Sequence, residues 1–223
     1  MQQCCSGPRF AKFFSRLVPP NWSVVGLVLH STVETFVVAL AGTFCAVVVA
    51  LPLGFLAASN VTPPRIAHLT KLFLGFLRSI PLIVVAILFV VAVGLGPFPG
   101  ALAITFHSVG MLGKFYAEEF ETADPGIVRA VSGTGATRLQ IFRFGFLTQA
   151  IPQLVAFTMY RLEMNFRDAT VLGLVGAGGI GYYIQLYVRG FQYDKVAVLL
   201  LVIIAVVTLL DQTTFWVRKQ VGI

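Results

Sequence analysis

Residues 35–64 read TFVVALAGTFCAVVVALPLGFLAASNVTPP, and residues 79–106 read SIPLIVVAILFVVAVGLGPFPGALAITF; neither run contains a charged side chain. Each exceeds the roughly 20 apolar residues that a helix needs to cross a bilayer. Hydrocarbon offers no water to backbone amides, so such a run must satisfy them internally, which a helix does. The two runs therefore define an all-α, polytopic membrane protein.

The rest of the chain agrees with them. Of its 223 residues, 57% are hydrophobic and 11% charged, where a soluble domain carries about 25% charged residues. Mean hydropathy is +0.88. This excludes an ordinary soluble globule, whose half-buried elements each need a polar face. The net charge of +7 comes from Lys and Arg clustered between apolar runs, where the positive-inside rule expects them. No basic groove interleaved with aromatics is present, so nucleic acid is not an expected partner; membrane lipid is. Cys45 lies within an apolar run and reads as a small packing residue, while adjacent Cys4 and Cys5 lack partners at metal-ligand spacing.

Working outward from these runs gives about five spans. Residues 1–23 form an N-terminal interfacial segment, with Arg9, Lys12 and Arg16 alternating with Phe10, Phe13, Phe14 and Leu17. Residues 24–223 form the transmembrane domain. Spans are expected at about 24–58, 72–95 (kinked at Pro81), 101–120, 146–174 and 196–217, with residues 94–100 as a tight connection. Between the third and fourth spans the character changes: Glu118, Glu119, Glu121 and Asp124 are followed by Arg129, Arg138 and Arg143. Asp124-Pro125 reads as a helix start, Gly133 and Gly135 as a break, and Thr137 as a second cap. The expectation is two short helices joined by a glycine turn, in a loop covering about 121–148. Five spans place the termini on opposite sides and put Arg65, Lys71, Arg129, Arg138, Arg143, Arg218 and Lys219 in the cytoplasm. The three basic residues of the N-terminal segment then fall outside, against the rule.

Residues 170–181, TVLGLVGAGGIG, contain G-x-G-x-x-G, the dinucleotide-binding pattern. A Rossmann unit needs alternating strands and helices around it, and membrane spans flank it here. Glycines at membrane depth instead permit close backbone approach and a helix break beside a cavity. No G-x-x-x-x-G-K-[ST] occurs, so ATP hydrolysis by a P-loop in this chain is not expected.

The loop and the segment after it resemble a known family. Importer permeases driven by ATP-binding-cassette (ABC) ATPases carry a cytoplasmic E-A-A-x3-G-x9-I-x-L-P pattern. The matching register here is Arg129-Ala130-Val131, Gly135, then Gly145, Leu147 and Thr148, with Ile151-Pro152 following. Arg129 replaces Glu, Val131 the second Ala, Gly145 the Ile and Thr148 the Pro. A wider match covers Asp124-Pro125-Gly126, residues 132–136, residues 160–163, Arg167, residues 169–181 and residues 90–97. In these the chain is similar to phosphonate-type importer permeases, from about Thr32 to the C-terminus.

The resemblance implies a type I importer fold in the bacterial inner membrane and no enzymatic activity in this chain. It implies a second permease copy as homodimer partner and two separate ABC ATPase subunits, on which ATP and magnesium act. An extracytoplasmic substrate-binding protein delivers the solute. Within the loop, Ile127, Val128, Val131 and Leu139 are the expected apolar anchors on the ATPase, Gly135 the turn, and Arg129 and Arg138 partners of ATPase acids. Ionisable groups inside spans mark pathways or structural pairs. Arg161, Glu163, Arg167 and Asp168 cluster in the fourth span, and Glu163 and Arg167 are four apart on one face. Arg167 is the expected phosphonate contact, its planar fork matching the oxygens, with Glu163, Arg78 and His107 as further pathway residues. A pathway and a purely structural role remain open for these four. The alternatives are a permease for another small solute such as an amino acid, a membrane-embedded enzyme, and a passive channel. Three scattered histidines supply no catalytic constellation, and a channel leaves the loop without a task.

Overall fold

The computed structural model describes residues 19–221, and every regular element among them is helical. A short 3-10 turn, Trp22–Val24, leads into α1 (Val25–Ala57). Then come α2 (Pro64–Ser79), α3 (Leu82–Val93), α4 (Pro97–Glu121), α5 (Pro125–Gly133) and α6 (Arg138–Gln140). A π-helical stretch, Ile141–Leu147, joins α6 to α7 (Thr148–Gly173), and α8 (Gly179–Arg189) and α9 (Tyr193–Val221) complete the chain. The interfacial helix expected around Arg9, Lys12 and Arg16 lies outside the described residues.

By length and apolarity the Trp22–Ala57 unit and Tyr193–Gln220 qualify as spans, and the α2–α3 pair makes a third. α4 and α7, of 25 and 26 residues, are the remaining long helices, each with four charged side chains. The expected kink at Pro81 is a break: α2 and α3 meet at 81°. Pro81 removes an amide and biases Ile80 away from the helical region, and Ile80 sits at ψ 123°. α2 also starts earlier than residue 72, because Pro64 fits the first helical position. The connection expected at 94–100 shortens to 94–96, since Pro97 begins α4.

Small residues let α1 lie against α4. The buried face of α1 includes Thr35, Ala39, Thr43, Ala46, Ala50, Gly54 and Ala57, spaced three or four apart, with Gly42 beside Thr43. That stripe permits close interhelical approach in lipid. Cys45 lies off it and is exposed, so it is not the packing residue its apolar neighbours suggested. Three apolar clusters are stacked along the bundle. One gathers Val28, Ile180, Val198 and Leu199; a middle one includes Ala39, Val85, Ile104, Phe166 and Leu172; the third includes Ala57, Leu74, Leu112, Phe120 and Phe146.

The glycine-rich motif is a helix break. α7 stops at Gly173 and α8, unforeseen in the sequence, begins at Gly179. A Cβ on Gly181 would stand 2.0 Å from Thr170 O and 2.8 Å from Gly173 Cα. Ile180 N donates to Thr35 Oγ1 at 2.9 Å, tying the break to α1. The dinucleotide reading is thereby excluded on geometry as well as context.

Candidate functional site

The loop between α4 and α7 forms by local rules. Asp124 caps α5, its carboxylate accepting from Gly126 N at 2.7 Å, with Pro125 in the first turn. α5 ends at Gly133, and Gly135 turns the chain at φ +78°, a conformation that side chains with a Cβ disfavour. Thr137 and Gln140 then form a capping box, with Thr137 N donating to Gln140 Oε1 at 2.8 Å. The second helix is not an isolated turn. It runs on through the π stretch into α7, so the loop's second arm is a direct extension of the fourth span.

That extension is bolted to the bundle. Phe142 and Phe146 of the π stretch meet Phe55 of α1 edge-to-face, with ring centroids 4.3 and 6.1 Å away, and Phe120 of α4 also meets Phe142 at 5.9 Å. Gln149 Oε1 accepts from Asp124 N at 3.0 Å, fixing the start of α5 to α7.

The expected anchors divide. Ile127 and Leu139 are 45% and 76% exposed, and Val131 is half-buried. Val131 and Gly135 line a hollow of ≈ 510 Å³ with Thr134, Ala136, Gln140 and Phe144. Val128 instead packs against the third apolar cluster, so it holds α5 to the bundle. Arg129 is exposed and donates to Pro125 O at 3.1 Å; Arg138 is exposed.

The charges of α7 also divide, and this differs from the single cluster expected. At about 100° per residue, Arg161, Asn165 and Asp168 share one face while Glu163, Arg167 and Thr170 lie roughly opposite. Arg161, 3% exposed, donates from Nε to Ser108 Oγ (3.1 Å) and from Nη1 to Met111 Sδ (3.4 Å). Its Nη2 reaches His107 Nδ1 (2.9 Å) and Asp168 Oδ2 (3.4 Å). Ser108 Oγ donates to Asn165 Oδ1 (3.0 Å), and Asn165 Nδ2 donates to Thr43 Oγ1 (2.8 Å). One polar chain thus joins α1, α4 and α7. On the other face buried Glu163 accepts from half-exposed Arg167, the expected pair. Arg167 borders a hollow of ≈ 270 Å³ with Thr170, Val171, Leu174, Ile184 and Ile203. Arg78 is exposed at the end of α2, beside the break, and its backbone packs against Gly110 of α4. The structure therefore brings His107 and Arg78 to one region and Glu163 and Arg167 to another.

Ser108, Asn165 and Thr43 were missed in the sequence. The available signal was the polar spacing Arg161, Asn165, Asp168 on one face of a span. Among the described residues no three His, Cys, Asp or Glu side chains are grouped to hold a metal ion.

Comparison with known proteins accords with this architecture. The family model described as "Binding-protein-dependent transport system inner membrane component" matches residues 50–222. The phosphite transport system permease protein PtxC of Stutzerimonas stutzeri is 42% identical over 96% of this chain and 78% of that protein. The phosphate-import permease protein PhnE of Mycolicibacterium smegmatis is 36% identical over 92% of this chain and 38% of that one. Among solved structures, the inward-facing MetNI methionine ABC transporter matches with a TM-score of 0.82 and 22% identity, over 91% of this chain and 100% of that chain. The last likeness concerns the fold.

Proposed function

The chain belongs to the family of binding-protein-dependent transport system inner membrane components, and from that premise we propose that it passes a phosphorus oxyanion of the phosphite or phosphonate class. It is a multi-pass inner-membrane permease subunit of an ABC importer and not an enzyme; its partners are ATPase subunits and a substrate-binding protein. The cargo reading is supported by the 42% identity to a phosphite permease, sustained over nearly the whole chain. The methionine transporter shares the fold at 22% identity, too low to carry its cargo across.

The mechanism rests on the helix–Gly135–helix loop, the single observation that carries it. A homodimer of this chain presents two such loops to two ATPase subunits, which bind ATP and magnesium. Ile127, Val131 and Leu139 enter a groove on each ATPase, with Arg129 and Arg138 against its acids. Because α6 continues into α7 and the phenylalanines clamp that arm to α1 and α4, a displaced loop carries these helices with it. Rigid movement of this block opens the pathway to alternate sides. Arg78 and His107 line one part of the pathway, and Arg167, balanced by Glu163, lines another.

Two experiments test this. Co-expression with the cognate ATPase is expected to give a stable complex, and no complex with it would remove the coupling reading. Calorimetry on the partner binding protein is expected to show phosphite or a phosphonate as its ligand; a protein binding methionine and neither anion would remove the cargo reading.

A further inference from the structure

The Arg161 guanidinium fixes the chemistry of a neighbour that reaches the surface. Arginine has five N–H donors and no acceptor. Its Nη2 lies 2.9 Å from His107 Nδ1, so Nδ1 accepts and the ring's single proton sits on Nε2. A second ring proton would set two donors against each other. The guanidinium is not free to turn aside, because Ser108 and Met111 hold Nε and Nη1, and Asp168 accepts from Nη2 alongside His107. Ser108 is fixed in turn by Asn165, and Asn165 bonds Thr43.

Arg161 and Asp168 cancel in charge within this network. His107 is half-buried, and its Nε2 has no hydrogen-bond partner among the described residues. One turn along α4, Gly110 lies against the backbone of Arg78; a Cβ there would be 2.9 Å from Arg78 N. The Arg78 side chain is exposed and makes no ion pair or hydrogen bond among the described residues. In the two turns before it, the helix exposes Leu72, Phe73 and Phe76. An unpaired cation amid such residues calls for a wet cavity or an anion.

We infer that Arg78 and the Nε2–H of His107 form a two-donor oxyanion site, with Arg161 as the positioning residue that locks the His107 tautomer. The inference rests on the pathway reading above and deepens it. Arg78 supplies one full charge and His107 a neutral donor, and both suit acceptor oxygens. A site of one net positive charge holds an anion weakly enough to release it, which a conduction path requires. Asp168, neutralised by Arg161, keeps the buried guanidinium from adding a second trapping charge.

The test is 15N NMR of the full-length permease in lipid nanodiscs, carrying His30→Gln and His68→Gln so that His107 is its sole histidine. At neutral pH the Nε2-protonated tautomer is expected. Millimolar inorganic phosphite or methylphosphonate should shift the Nε2–H resonance. Arg78→Gln should abolish that shift while leaving the tautomer unchanged, and should lower uptake of phosphite about tenfold to a hundredfold, the scale of one lost charge-assisted hydrogen bond. Arg161→Met should release the tautomer to a mixture. If that variant does not accumulate, the wild-type spectrum still decides the lock. An Nδ1-protonated or doubly protonated ring in the wild type overturns it. No shift with either anion, or a shift that survives Arg78→Gln, overturns the site. If phosphite uptake persists while the shift is absent, this site fails and the cargo reading stands; uptake of a different solute removes the cargo reading itself.

Discussion

Lys71 Nζ and Glu121 Oε1 stand 2.7 Å apart, joining the middle of α2 to the last residue of α4, at the base of the docking loop. The same carboxylate oxygen accepts from Ser59 N and Ser59 Oγ, each at 2.7 Å. Burial alone would raise the Glu121 carboxyl, but the hydrogen bonds from Lys71 and Ser59 and the Lys71 charge outweigh it and hold the group below its ordinary 4.5. A carboxyl lowered in the folded state stabilises fully above its unfolded value and loses that contribution as pH falls through the folded one. Both side chains are about a third exposed, so the contribution is about 0.5–1 kcal/mol. Glu121→Gln should therefore lower the melting temperature in detergent by about 1–4 °C at pH 7. The difference should vanish in strong acid. A melting temperature unchanged at pH 7 would count against the pair.

Gly135 separates strain from docking. A Cβ there meets nothing within 4 Å, so only its φ of +78° resists substitution. Gly135→Asn should fold and retain ATPase binding, since Asn tolerates this region. Gly135→Ala should cost about 1 kcal/mol in stability. Gly135→Trp should insert normally and lose the ATPase complex on size-exclusion chromatography; a wild-type complex would contradict the docking assignment.

Gly181 and Gly75 give a steric contrast within helices. Gly181→Ala places a methyl 2.0 Å from Thr170 O, a backbone atom that cannot yield cheaply. A loss of at least about 2 kcal/mol is expected, read as reduced yield of folded protein. Gly75→Ala meets open space and should stabilise α2 by up to about 1 kcal/mol. Equal behaviour of the two variants would contradict the close crossing at the α7–α8 break.

Asn165 is fully buried and serves α1 and α4 at once. Asn165→Leu leaves Ser108 and Thr43 without that partner, at a cost of about 1–2 kcal/mol. Thermal unfolding in lipid checks it. The Ser108→Ala/Asn165→Leu double variant should cost less than the sum of the singles, and strict additivity would show that the chain does not act as a unit.

What the sequence made legible was local. Asp124-Pro125, Gly135 and the Thr137 cap follow from backbone rules that need no knowledge of the fold, and each is where it was expected. The Glu163–Arg167 pair is equally local, being set by helix spacing. Arg161 was visible as a charge, but apart from Asp168 its partners lie 50 or more positions away on α4, so only the packing of α4 on α7 reveals them. The α2–α3 bend and α8 were illegible for a related reason. Pro81 announces an interruption without its angle, and the glycines before α8 announce close approach without saying which helix they approach.

The central claim is ATP-driven passage of a phosphorus oxyanion. It is tested most directly by uptake of 32P-labelled phosphite into proteoliposomes holding this permease, its ATPase and the partner binding protein, with ATP and magnesium on the ATPase side. Accumulation that requires ATP, the binding protein and an intact Gly135 turn is the predicted result. Hydrolysis and binding-protein docking without accumulation of phosphite or methylphosphonate, alongside uptake of another solute, would contradict the account.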